Sequence, residues 1–107
     1  MNILLVCANG ASTGVLVEKM KSFAAEHEVL KTKDIKIDAI SVEALRKYLD
    51  GNKADVVLIA PQIRFKEATV KEVCVPQSIQ VGIIDTSDYG RMNAAGVLKY
   101  AIDLFKS

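Results

Sequence analysis

Ile3-Leu4-Leu5-Val6-Cys7-Ala8-Asn9-Gly10-Ala11-Ser12-Thr13-Gly14 is the stretch on which the fold turns. Its apolar run, Ile3–Val6, reads as a strand covered on both faces. A cysteine follows, then a turn of small or hydrogen-bonding residues, then a helical pattern. Backbone N–H groups in such a turn converge on an anion, and the helix N-terminus adds the positive end of its dipole. Cys7 stands where that anion would sit, and a thiol so placed reacts as a thiolate. The plainer alternative is an ordinary strand-to-helix turn with Ser12 or Thr13 as N-cap and Cys7 merely buried.

Outward from this turn, strands and helices alternate. Ser12 or Thr13 to about Glu28 has helical periodicity, with Leu16, Met20, Phe23, Ala24 and His27 on one face. Ile35–Ile40 alternates at first, as a strand with one solvated face does. Ser41 opens a short helix with Val42, Leu45, Tyr48 and Leu49 inward, closed by Asp50-Gly51-Asn52. Val56–Ala60 is a second continuous apolar strand. Pro61-Gln62 begins a third helix, with Ile63, Val70, Val73 and Cys74 inward and Pro76 as its stop. Gln80–Ile84 is a fourth strand and Asp85–Gly90 a polar loop. A last helix begins at about Arg91 or Asn93 and reaches Lys106, with Ala94, Val97, Leu98, Ala101 and Phe105 on one face.

The order β-α-β-α-β-α-β-α with short links implies an α/β fold: an open four-stranded parallel sheet with helices on both faces. The two continuous apolar strands belong at its centre and the alternating one at an edge, which gives the order 2-1-3-4. A topological switch then falls between the first and third strands, where ligands bind beyond the strand carboxyl ends. The Cys7 turn, the Pro61-Gln62 turn and the Asp85–Gly90 loop meet there.

The 107 residues suit one domain, residues 1–107, and half of them are hydrophobic. With 14 basic and 13 acidic residues the net charge is +1, which argues against a nucleic-acid partner. No apolar run is long enough to span a bilayer and no cationic leader precedes the first strand, so a cytoplasmic location is expected. Two cysteines and one histidine offer neither a disulfide framework nor metal-ligand spacing, and no metal or cofactor is expected.

The Cys7 turn is not a Walker A loop, for no Lys follows a glycine there, and it lacks G-x-G-x-x-G spacing. Low-molecular-weight tyrosine phosphatases and arsenate reductases share the strand–cysteine loop–helix layout, but they carry arginine six residues after the cysteine. Thr13 occupies that position here. Without a bidentate arginine clamp, a phosphocysteine forms more readily than it is hydrolysed. Such a cysteine is suited to passing the group on.

The chain resembles the IIB component of the lactose/cellobiose/chitobiose class of the bacterial phosphoenolpyruvate-dependent sugar phosphotransferase system. The resemblance rests on Cys7-x-x-Gly10-x-Ser12-Thr13, on Ala54-Asp55-Val56-Val57-Leu58 followed by Pro61-Gln62-Ile63, on Tyr89-Gly90 and on Gly96-Val97-Leu98. Ala60 and Asn93-Ala94-Ala95 depart from the pattern, which bears on the sugar rather than on the chemistry. The resemblance implies a fold similar to low-molecular-weight tyrosine phosphatase, and Cys7 as the residue that takes a phosphoryl group from a phosphohistidine of IIA. Cys7 then passes it to a β-glucoside or disaccharide held by the membrane permease IIC. It implies that Ala8, Asn9, Gly10, Ala11, Ser12, Thr13 and Gly14 hold the phosphoryl oxygens. Two alternatives remain at this stage: a cysteine-dependent phosphatase or arsenate reductase, and a non-catalytic anion-binding regulatory module.

Pro61, Gln62, Tyr89 and Gly90 lie on the same edge and are candidates for partner or phosphoryl contact. His27 reads as a partly buried or capping residue, Cys74 as a small core residue, Arg91 as solvated and Met92 as packing or docking surface. A monomer is the default.

Overall fold

The computed structural model describes residues 1–9 and 11–107. Four strands, β1 (Asn2–Cys7), β2 (Lys36–Ser41), β3 (Val56–Ile59) and β4 (Gln80–Ile83), form one sheet in the order β2-β1-β3-β4. All three pairings are parallel; Cys7 lies opposite Ser41 on one side, and Val6 opposite Ile59 on the other. The order is the expected one, for the expected reason. Ile3, Leu4, Leu5 and Val6 of β1, and all of β3, are buried, whereas β2 alternates from exposed Lys36 to buried Ile37 to exposed Asp38. Strands that shed water from both faces go to the centre, each buried aliphatic side chain contributing about 1.5–3 kcal/mol.

The helices are α1 (Ala11–Glu26), α2 (Leu45–Gly51), α3 (Glu67–Cys74), α4 (Thr86–Gly90) and α5 (Ala94–Lys106). Right-handed crossovers send α1 to one face and α2 and α3 to the other. Accordingly, α1 packs against α5, and Val42 and Leu45 stand beside Val70 and Val73. Short 3-10 turns precede α2 (Val42–Ala44) and α3 (Pro61–Lys66). The third helix therefore begins later than Pro61, because Ile63 departs from helical dihedrals (φ −118°, ψ 28°). Its expected inner residues, Ile63, Val70, Val73 and Cys74, are all buried.

Two expectations, for Asp85–Gly90 and Phe105, are corrected, and of the two readings of His27 the capping one holds. Asp85–Gly90 is not a plain loop. The Asp85 carboxylate accepts from the Ser87 and Asp88 N–H groups at 3.0 and 3.2 Å, and this cap turns Thr86–Gly90 into helix. His27 is exposed rather than inward: it lies just past the end of α1, and its Nδ1 accepts from the Val29 and Leu30 N–H groups at 3.1 and 3.2 Å. It is a capping residue, with its ring 5.6 Å from that of Phe23. Phe105 is 47 % exposed, while Leu104 packs on the core. Gly82 of β4 explains the exchange, since a Cβ there would come within 2.5 Å of both Leu104 Cδ1 and the Tyr100 hydroxyl. The bare glycine lets Tyr100 and Leu104 seat on β4, and the next residue is turned outward.

Candidate functional site

The sheet delivers its chemistry to one edge. Cys7 is the last residue of β1, the Ala60 N–H extends the ladder to the Val6 carbonyl at 2.9 Å, and the Ile84 N–H extends it to Ile59 at 2.9 Å. The chain therefore leaves β1, β3 and β4 on one edge of the sheet, with the switch point between β1 and β3 and β4 beside it.

Cys7 is buried, at 4 % exposure, among core residues. Its sulfur lies 3.0 Å from the hydroxyl oxygen of Thr13, itself fully buried in the first turn of α1, and 3.9 Å from the Ile40 carbonyl oxygen of β2. Ala8 and Asn9 are exposed and lead from the strand into the helix. Gly10 lies outside the described residues, as do the side chains of Ala11 and Ser12. Gly14 is half-buried, and a Cβ on it would meet nothing within 4 Å. The first turn of any helix presents N–H groups with no intrahelical partner, and here that turn begins four residues beyond the cysteine.

Of the second group of candidates, Gln62 and Gly90 are exposed and Pro61 and Tyr89 are buried. The exposed pair faces solvent and the buried pair packs inward. Exposed Arg91 stands 3.9 Å from Asp88, a loose surface pair. Cys74 is fully buried at the end of α3, and burial pushes its thiol up to about 11.

Two features escaped the sequence reading. The Ile40 carbonyl approaches the sulfur because β2 pairs with β1 as far as Ser41, a register legible only in the sheet. An open groove of about 1080 Å³ also runs between α1 and the start of α5, past Val15, Lys19, Phe23 and Met92. Met92 adopts φ 51° where the chain turns from α4 into α5. Among the described residues no helix is long and apolar enough to cross a membrane, and no cluster of three or more His, Cys, Asp or Glu could hold a metal.

This architecture is that of phosphotransferase-system IIB components. The sequence model described as the lactose/cellobiose-specific IIB subunit of that system matches residues 2–100. The chain is 36 % identical over 105 residues to the galactose-specific EIIB component of Lactococcus lactis subsp. cremoris, covering 95 % of this chain and 94 % of that one. It is 33 % identical over 102 residues to the oligo-β-mannoside-specific EIIB component of Bacillus subtilis, covering 95 % and 93 %. The cellobiose-specific IIB component of Borrelia burgdorferi superposes with a TM-score of 0.76 at 42 % identity, over 99 % of this chain and 92 % of that one. The lactose-specific IIB domain of Streptococcus pneumoniae shares the fold, with a TM-score of 0.79 at 16 % identity over 97 % and 96 %. The chain belongs to the lactose/cellobiose-specific IIB family of the phosphoenolpyruvate-dependent sugar phosphotransferase system. As a IIB component it is a phosphotransferase that acts in sugar uptake with IIA and IIC partners.

Proposed function

We propose that Cys7 is the phosphoryl carrier of this IIB component. The observation that carries the reading is its position: the last residue of a central strand, at the switch point, facing the turn that opens α1. The Cys7 thiolate attacks phosphorus in line; the S–P bond forms as the N–P bond of a IIA phosphohistidine breaks, its electron pair returning to the imidazole. Backbone N–H groups of residues 8–14 bear the charge on the phosphoryl oxygens, with Ala8, Asn9, Gly10, Ala11, Ser12, Thr13 and Gly14 forming the cradle. In the second half, a sugar hydroxyl held by IIC attacks phosphorus, the S–P bond breaks with its electron pair on sulfur, and the hydroxyl proton goes to a base supplied by IIC. Gln62 and Gly90, exposed on the same edge, are the contacts offered to successive partners.

The sugar is a β-glucoside or disaccharide of the cellobiose, chitobiose or lactose type; names of relatives such as the cellobiose-specific EIIB component of Lactococcus lactis subsp. lactis support that class. The chain works as one monomeric domain in the cytoplasm, meeting the inner face of the membrane only through IIC. Intact-protein mass spectrometry tests the carrier role after incubation with phosphoenolpyruvate, the general phosphotransferase proteins and a cognate IIA. One phosphoryl adduct is expected on the wild type and none on Cys7→Ser or in mixtures lacking IIA. Absence of the adduct with active general proteins and several IIA partners would overturn the reading. Turnover of an aryl phosphate that is lost in Cys7→Ser would put a phosphatase in its place.

A further inference from the structure

We infer that the side-chain hydroxyl of Thr13, as distinct from its backbone N–H in the cradle, positions the sulfur of Cys7 rather than binding the phosphoryl oxygens: it donates to Sγ when sulfur bears negative charge. The inference rests on the carrier role proposed for Cys7. Thr13 is the polar residue that the fold buries completely among the described residues, and its Oγ1 lies 3.0 Å from Sγ. That is hydrogen-bond distance for sulfur, and the bond runs from the first turn of α1 across to the end of β1. A side chain buried on the inner side of the helix is turned toward the strand, away from the solvent side from which a donor must bring the phosphoryl group.

Two neighbours of the sulfur act at different stages. The Ile40 carbonyl, 3.9 Å from Sγ, can only accept, and it suits the protonated thiol. When the proton leaves, that contact turns unfavourable, whereas the Thr13 hydroxyl rotates to donate. The same donor serves the second half-reaction. As the S–P bond breaks, its electron pair remains on sulfur, and the hydroxyl stabilises the departing thiolate while phosphorus bonds to the acceptor oxygen. Thr13 thus makes Cys7 a better leaving group at the site where a phosphatase would place arginine.

The test compares wild type, Thr13→Val, which keeps the shape and removes the hydroxyl, and Thr13→Ser, which restores it. Far-ultraviolet thiolate absorbance is recorded against pH, with the Cys7→Ser protein subtracted from the wild type and each Thr13 variant subtracted against its own Cys7→Ser double mutant. Phosphoryl release from each phosphorylated protein to IIC and sugar is timed alongside. Thr13→Val is expected to move the Cys7 titration to higher pH and to slow release about tenfold, the effect of losing one hydrogen bond to a charged group. Thr13→Ser is expected to bring both back toward wild type, which a purely packing role of the threonine methyl would not produce. A Thr13→Val titration coincident with wild type overturns the inference; if that variant does not fold, Thr13→Ala against Thr13→Ser makes the same comparison. The titration needs no phosphoryl donor, so a wild type that takes up no phosphoryl group defeats the carrier role by a separate measurement.

Discussion

The side-chain carbonyl of Asn93 accepts the Gly96 N–H at 3.2 Å, and a Cβ on Gly96 would stand 2.7 Å from the Asn93 amide nitrogen. The same amide donates to Asp88 at 3.0 Å, so α4 and the start of α5 are tied through one capping side chain. Only a residue without a side chain lets the amide fold over the first turn of α5.

Gly96→Ala is therefore expected to destabilise the protein although alanine is the better helix former. The clash displaces the cap, and losing an N-cap costs about 0.5–2 kcal/mol against a propensity gain of about 1 kcal/mol at most. Urea denaturation reads the sign; an increase in stability would show that Asn93 relaxes without losing its bonds.

Ser78 has the opposite expectation. It is exposed and left-handed, at φ 61° and ψ 32°, where the segment after α3 closes with the Ile79 N–H bonded to the Cys74 carbonyl at 3.1 Å. Glycine adopts that conformation without the Cβ penalty and no packed side chain is lost, so Ser78→Gly should be neutral to stabilising, by up to about 1 kcal/mol. Ser78→Val should cost stability at the same place, and paired thermal melts distinguish the two.

Cys74 makes stability depend on alkaline pH. Burial raises its thiol from the ordinary 9.0 to about 11, so the folded state holds the proton more tightly than the unfolded chain. That contribution is complete below the unfolded value and is lost as pH rises through the folded one. Tyr48 is raised too, first by burial and then by the Asp38 carboxylate, whose oxygen its hydroxyl meets at 3.4 Å. Cys74→Ala should lose less stability than wild type between pH 9 and 11, the Tyr48 effect being common to both. Parallel slopes would remove Cys74 from the alkaline transition.

Phe65, 75 % exposed in the turn after β3, stands on the edge that carries Cys7. Phe65→Ser is expected to change folding stability by less than about 0.5 kcal/mol, since little packing is lost. It should slow phosphoryl uptake from IIA at subsaturating donor while leaving the saturated rate unchanged. Uptake equal to wild type at every donor concentration would exclude Phe65 from the docking surface.

Much of this protein is legible in its residues alone, because burial demands are written locally. Continuous apolar runs at Ile3–Val6 and Val56–Ala60 can belong only to strands covered on both faces, and the alternation at Lys36–Asp38 only to one with a wet side. From that alone come the sheet order, the switch point and the place of Cys7 at a strand end. Whether Asp85 would cap a helix or begin a loop was not legible, for an aspartate serves either, and the Ser87 and Asp88 N–H groups decide it. His27 and Phe105 fall in phase with apolar faces, yet each lies near a helix end, where the neighbouring element sets what is covered. Gly82 admits Leu104 and turns Phe105 out, and the chain after α1 bends so that His27 Nδ1 accepts the Val29 and Leu30 N–H groups of the turn that follows. The sequence placed Thr13 six residues from Cys7; only the packing of α1 against β1 brings its hydroxyl to 3.0 Å from the sulfur, because the rotation of a helix about its axis is decided by everything it packs against.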